Sequence, residues 1–331
     1  MLTPALWWNR GNKGILRYKN LYVIIAMVLQ QIYPITTKER SKRNAMPTDL
    51  PKEENPYILD SESATEMARL LSQDQATTMA LGGLFPERYD DLEGIDRILD
   101  IGCGPGGWVL SVAQKYQQKR VVGIDISRLM VQYARAQAFT QRLNNAEFIV
   151  MNALEPLQFD DDVFDLVNAR FIVGFTAKTA WLPLLTECLR VLRPGGVIRL
   201  TEGDLGTSTS SSYDEISMML PKLLKAIGLS FSPDGRSVGI IPVLPRLLRT
   251  AGFKDIGKMA HAIVNAPDEP GSSMWIDDFK VTTQTVLPTL IKLGITTQEK
   301  FDELYEQAMR DVLSPEFSAL LYFVTMWATK P

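Results

Sequence analysis

From residue 97 the chain alternates short apolar runs with amphipathic segments. The runs at 97–101, 120–126, 147–151, 164–169 and 197–201 are rich in Ile, Val and Leu without strict alternation. That is the pattern of strands buried on both faces. Between them the spacing predicts helices over 108–116, over 127–139 with Ser127 as cap, and over 181–192, the last closed by Pro194 and Gly195-Gly196. This rhythm predicts an α/β fold, a parallel sheet with helices on both faces and right-handed crossovers. Upstream, Ala64, Met67, Ala68 and Leu71 predict a helix over 61–79, stopped by Gly82-Gly83. After residue 201 the pattern loosens. A mobile loop is expected at 206–212, a helix over 213–227, a loop at 231–239 and a helix over 244–251. A strand over 256–264, a turn or lid-like loop at 268–273 and a helix over 277–293 follow. Thr296 and Glu299 then form a capping box, with Phe301, Leu304, Tyr305, Ala308, Met309 and Val312 along one face behind it. An apolar strand over 319–328 closes the pattern.

The start of the chain is different. Residues 1–45 carry eight basic side chains against Glu39 alone, and the remainder carries 27 basic and 37 acidic residues, a net of −10. An acidic body is a poor nucleic-acid surface, so no nucleic-acid partner is expected. The apolar run 21–29 is too short to span a bilayer, which takes about 20 residues. It has basic residues before it, yet no small-residue cleavage site follows. Three readings stay open: an interfacial or packing helix, a targeting segment, or an extension ahead of a start at Met46. Peripheral membrane contact through residues 10–43 belongs to the first. The expected organisation is an extension at 1–45, lead-in and cap helices at 46–96, and the main domain at 97–331. The expected location is cytoplasmic, with membrane association as the alternative. One histidine and two cysteines in 331 residues supply neither a disulfide framework nor a multi-histidine metal site, and no metal is expected.

The strongest constellation is Leu99-Asp100-Ile101-Gly102-Cys103-Gly104-Pro105-Gly106-Gly107, between a strand and a helix. Its glycines permit a tight turn and close approach of a ligand to backbone N–H groups. Gly102, Gly104 and Gly106 alternate behind Asp100, which disfavours a dinucleotide loop, and no Gly-Lys-Ser/Thr follows, which sets aside a Walker A loop. Asp125, at the carboxyl end of the next strand, can accept hydrogen bonds from ribose hydroxyls.

Together with Val121-Val122-Gly123-Ile124-Asp125-Ile126, Asn152-Ala153-Leu154-Glu155-Pro156, Asp165-Leu166-Val167-Asn168-Ala169-Arg170 and Leu192-Arg193-Pro194-Gly195-Gly196, this loop resembles the motifs of class I S-adenosylmethionine-dependent methyltransferases. The likeness is to the small-molecule branch that includes the ubiquinone and menaquinone C-methyltransferases. It covers about 97–202 in order and spacing, and is looser elsewhere. It implies a Rossmann-like, mostly parallel seven-stranded sheet. The N-terminal helix and insertions at about 206–240 and 266–315 would form a helical cap. S-adenosyl-L-methionine is the implied cofactor. Gly102, Gly104 and Gly106 would lie under its methionine and ribose, and Asp100 would hold its amino group through water. Asp125 would hold the ribose hydroxyls, with Ile126 and Met130 flanking adenine. Asn152, Ala153 and Leu154 would meet the adenine edge, Asn152 standing where the family usually has an acid. Asn168 and Arg170 would sit between the methionyl end and the acceptor.

The acceptor implied is a small apolar or aromatic molecule, methylated at carbon or oxygen, as in secondary metabolism. Tyr57, Met67, Met79, Tyr213, Met218, Met219, Phe231, Trp275 and Phe279 are candidates to line its pocket. Glu202 and Asp204, just past the fifth strand, and Arg170 are the candidate catalytic groups. His261 reads as a strand residue and not a base. Two alternatives remain: a cofactor-binding protein without methyl transfer, and a membrane-associated lipid or quinone methyltransferase.

Overall fold

Five parallel strands carry the sheet: β1 (Arg97–Ile101), β2 (Arg120–Asp125), β3 (Ala146–Val150), β4 (Phe164–Arg170) and the first part of β5 (Leu192–Ser208). β6 (Lys254–Asn265) and β7 (Ala319–Thr329) complete it in the order β3-β2-β1-β4-β5-β7-β6, with β7 antiparallel to both neighbours. The computed structural model describes residues 63–88 and 90–331, within the unit Asn55–Pro331. The extension at 1–45, the start at Met46, the lead-in, Tyr57 and the membrane-contact reading of 10–43 lie outside the described residues. Among those described, no helix is long and apolar enough to cross a membrane.

The parallel half follows the apolar runs closely. α1 is Ala64–Ala80, α2 Gly107–Lys115, α3 Arg128–Gln141 and α4 Trp181–Val191. The Ser63 and Ser127 hydroxyls accept from Thr65 N and Met130 N, closing the first turns of α1 and α3. One face of the sheet packs on α2 and α3 through Ile98, Trp108, Val109, Val131, Phe148 and Leu166. The other packs on α4 and α7 (Leu244–Ala251) through Leu99, Ile101, Val167, Trp181, Leu185 and Leu248. A third cluster joins α5 (Ser211–Ser217), α6 (Met219–Ala226), α8 (Ser272–Lys292) and α9 (Gln298–Val312) around Tyr213, Phe279, Leu287 and Phe301.

Three expectations beyond residue 201 are corrected. The strand expected to end at 201 runs on to Ser208, so most of the loop expected at 206–212 is strand or helix start. Antiparallel pairing with β7 supplies the partners, from Val197↔Thr329 to Ser208↔Ala319. A bulge between Asp204 and Thr207 absorbs Gly206, where a Cβ would lie 1.4 Å from the Leu320 carbonyl oxygen. The helix expected over 213–227 is two helices. Pro221 has no N–H to offer the Ser217 carbonyl, and its ring crowds that turn. The helix expected from 277 begins earlier, at Ser272.

α1 lies over the glycine loop and is tied to α8. Arg69 bridges Glu66 and Asp278 at 2.6 Å each, and Gln73 Nε2 also donates to Asp278. This buried network fixes the seating of α1 on α8 more than it stabilises the fold.

Candidate cofactor and acceptor site

A single cleft at the carboxyl ends of β1, β2 and β4 gathers most of the residues singled out above. Its walls include Asp100, Gly102, Gly104, Asp125, Ile126, Met130, Asn152, Ala153, Leu154 and Arg170. This is where ligands bind in open α/β sheets, at the switch in strand order. The loop is shaped by backbone geometry that a side chain would oppose. Gly102, Gly104 and Gly106 have φ of 67°, 53° and 85°. Gly106 does not line the cleft. A Cβ there would lie 2.7 Å from the Phe148 ring and 2.8 Å from Ala134, so its role is close packing of the loop on β3 and α3.

Asp125 organises this end. Its Oδ2 accepts from Gly104 N and its Oδ1 from Ser127 N, each at 2.8 Å. A carboxylate has about four acceptor directions, and Asp125 lines the cleft, where it can meet a ligand hydroxyl. The Asn152 side chain also faces local backbone. Its Oδ1 accepts from Leu154 N at 3.0 Å and its Nδ2 donates to Glu155. The carbonyl keeps a second lone pair for a ligand.

Asp100 lies at the floor, only 4% exposed. Burial pushes its carboxyl up to about 7, against the pull of Arg170, the Asn168 hydrogen bond and Arg199. Asn168 is fully buried and lines no wall. It acts on the cleft only through Asp100, to which its Nδ2 donates at 2.7 Å.

The mouth of the cleft is built mostly from residues that sequence reasoning passed over. Leu70, Gln73 and Asp74 of α1, with Phe171 and Phe175, join Trp108, which read from sequence as helix packing or pocket lining, in its walls. Asp74 forms an ion pair with Arg170, whose other amino group donates to Thr78 Oγ1 at 3.3 Å. The Arg170 guanidinium lies 5.9 Å from the Trp108 ring centre. A Cβ on Gly107 would meet Asp74 Oδ2 at 2.4 Å, so the Asp74 carboxylate can take this position only over glycine. The signal was present in the i, i+3, i+4 spacing of Leu70, Gln73, Asp74 and Thr77. Polar residues on a helix read first as a solvated face.

Glu202 and Asp204 are not brought to the cleft. Continuous pairing of β5 carries them past it. Asp204 accepts from Val238 N at 2.9 Å and Gly239 N at 3.3 Å, pinning the 231–239 loop. Glu202 lies beneath the turn after β4, where its Oε1 accepts from Val173 N at 3.3 Å and its Oε2 has no partner. Burial pushes its carboxyl up to about 8 from 4.5. The folded protein therefore holds a proton that the unfolded chain releases between those values, and stability falls as pH rises through that window. Glu202→Gln removes this dependence. Melting from pH 5 to 8 is expected to show the variant gaining roughly 2–5 kcal/mol on the parent across that range. Parallel pH profiles would contradict the assignment. His261 lies on β6, half-buried, with its Nε2 buried and unpartnered, and it does not line the cleft. Of the other expected pocket residues, Met67, Met79, Tyr213, Met218, Met219, Phe231, Trp275 and Phe279 lie outside its walls. Tyr213, Met219 and Phe279 are core of the third cluster.

Residues 98–196 match the family described as a methyltransferase domain. Over 172 residues the chain is 30% identical to a probable methyltransferase, ltbC, of Aspergillus luteorubrus, covering 50% of this chain and 60% of that protein. It is 34% identical over 111 residues to a demethylmenaquinone methyltransferase of Lactococcus lactis, covering 33% of this chain and 42% of the relative. It is 26% identical over 253 residues to the methyltransferase pytC of Aspergillus terreus, covering 71% of each. The first two matches thus span less than two thirds of those relatives' length. The sheet order and the matched domain define a class I S-adenosylmethionine-dependent methyltransferase fold. Residues 98–196 match this domain, and the chain is similar in sequence to demethylmenaquinone and other methyltransferases.

Proposed function

We propose that the cleft binds S-adenosyl-L-methionine and that the protein transfers its methyl group to carbon or oxygen of a small apolar or aromatic acceptor. The observation that carries this reading is that one cleft joins polar and apolar walls. Asp100, the glycine loop, Asp125 and Asn152–Leu154 form a polar cradle. Leu70, Trp108, Phe171 and Phe175 add apolar walls beside the glycine loop, with the Asp74–Arg170 pair among them.

The cradle fits the cofactor on its own chemistry. Asp125 lines the cleft as an acceptor suited to ribose hydroxyls, and Ile126 and Met130 offer apolar flanks for a base. Asp100 has one oxygen engaged and offers the other to an ammonium group. The bound cofactor supplies an electrophilic methyl group. The protein's part is to hold the acceptor in line with that group and to exclude water. The aromatic rings at the mouth suit a flat acceptor, and Arg170 can orient an oxygen on it.

Asp100 gives the reading a pH signature. The groups facing it are Asn168 and Arg170 on β4, Asp74 on α1 and Arg199 on β5. Its ionised form accepts from an ammonium, and that form predominates above about pH 7. Affinity for S-adenosylhomocysteine is therefore expected to rise by up to about tenfold from pH 6 to 8, and to stay flat in Asp100→Asn. A flat profile in the parent protein would remove Asp100 from the site. Turnover of S-adenosylmethionine with hydroxylated aromatic acceptors tests the transfer itself. Binding without turnover of any acceptor would favour a cofactor-binding protein.

A further inference from the structure

One register row of the sheet crosses the cleft floor. Asp100 on β1 pairs with Asn168 on β4, which pairs with Arg199 on β5. All three side chains are buried, and they are hydrogen-bonded in series. Asn168 Nδ2 donates to Asp100 Oδ1 at 2.7 Å, and Arg199 Nη1 donates to Asn168 Oδ1 at 2.8 Å. Arg199 Nε in turn donates to Glu87 Oε1 at 2.8 Å, with both side chains at most 2% exposed. Glu87 comes from the short turn Pro86–Arg88, 112 residues away in sequence.

The direction of this chain is fixed by its ends. A guanidinium is donor only, so the Asn168 amide must turn its oxygen to Arg199 and its NH2 to Asp100. The flipped amide would set two donors face to face. Asp100 Oδ1 is then occupied, and no hydrogen bond among the described residues reaches Oδ2. The carboxylate lines the cleft.

We propose that Arg199, held by Glu87, is a positioning residue for cofactor recognition: it locks Asn168 so that Asp100 presents Oδ2, ionised, to the α-ammonium of the cofactor's amino-acid end. The inference rests on the cofactor reading above. Arg199 never touches the ligand. Without it Asn168 is free to flip, and burial then favours the protonated, non-accepting form of Asp100.

The test is a comparison of two ligands in the full chain. S-adenosylhomocysteine carries the amino-acid end, and 5′-methylthioadenosine lacks it but keeps the adenosine. In Arg199→Met/Glu87→Met, which removes both buried charges together, affinity for S-adenosylhomocysteine is expected to fall about tenfold. The pH at which binding strengthens should rise, and affinity for 5′-methylthioadenosine should hold. Arg199→Lys, another pure donor, should restore most of the preference and carries the test if the double variant does not fold. In the Asp100→Asn background the same changes should have no further effect on the preference. Equal losses for both ligands, or no loss for either, would overturn the relay while leaving the cofactor reading intact. Failure of the parent protein to bind either ligand would overturn both.

Discussion

Asp125→Ala is expected to weaken binding of S-adenosylhomocysteine by roughly 10- to 150-fold, the equivalent of about 1.5–3 kcal/mol for losing a charged acceptor. Two terms contribute. The direct one is the loss of hydrogen bonds from the ribose hydroxyls. The indirect one is release of Gly104 N and Ser127 N, which the carboxylate now holds at 2.8 Å each. Asp125→Asn separates them, because the amide oxygen can keep one backbone donor while the NH2 meets the other unfavourably. Since 5′-methylthioadenosine keeps the ribose, its affinity should fall in parallel, in contrast to the Arg199 variants. Calorimetric titration reads both ligands. An unchanged affinity in Asp125→Ala would remove the residue from ribose recognition.

The second large effect is on stability. Gly106→Ala puts a Cβ 2.7 Å from the Phe148 ring and 2.8 Å from Ala134, at a backbone φ of 85°. Both neighbours are buried, so they cannot swing away. The backbone penalty and the overlap together should cost about 2–4 kcal/mol, which at this chain length lowers Tm by about 5–15 °C. Gly82→Ala is the matched control. Its φ is also 85°, but a Cβ there meets nothing within 4 Å. That variant carries the backbone penalty alone, about 1–2 kcal/mol. Thermal unfolding of the pair separates conformation from packing. Equal melting temperatures would mean that β3 and α3 yield to the loop.

The parallel half of the fold was legible because each apolar run ends in a residue with a local reason to stop it. β1 ends at Gly102, β2 at Asp125-Ile126-Ser127, and α3 begins at a serine that caps it. The same logic misled at β5. Glu202, Gly203, Asp204 and Gly206 interrupt the apolar run, yet β7 pairs through them. Pairing with a strand more than 100 residues away leaves no local trace. Glycine at 206 is a condition of that close approach and not the sign of a loop.

The site divides the same way. The cradle was read from contiguous motifs, and its residues converge in the cleft apart from Gly106 and Asn168, which lie behind the wall. The mouth was not, since Asp74 and Gln73 gain meaning only where α1 crosses the glycine loop. Arg199 was equally hidden. One arginine in a Val-Ile-Arg-Leu run reads as an ordinary break in an apolar strand. Only the register that sets it beside Asn168, and the turn that brings Glu87, give it a partner on each side. Asp204 and Glu202 show the converse error. Position past a strand end suggested chemistry, but the strand does not end there.

The central claim is that this cleft takes S-adenosylmethionine. The alternation of Gly102, Gly104 and Gly106 does not by itself exclude a dinucleotide, because Gly102, Gly104 and Gly107 satisfy the G-x-G-x-x-G spacing, so NAD is the discriminating competitor. Calorimetric titration of the full chain with S-adenosylhomocysteine and with NAD decides between them. Micromolar binding of S-adenosylhomocysteine with no heat from NAD is the predicted result. A folded protein that binds NAD, or that leaves S-adenosylhomocysteine unbound, would contradict it.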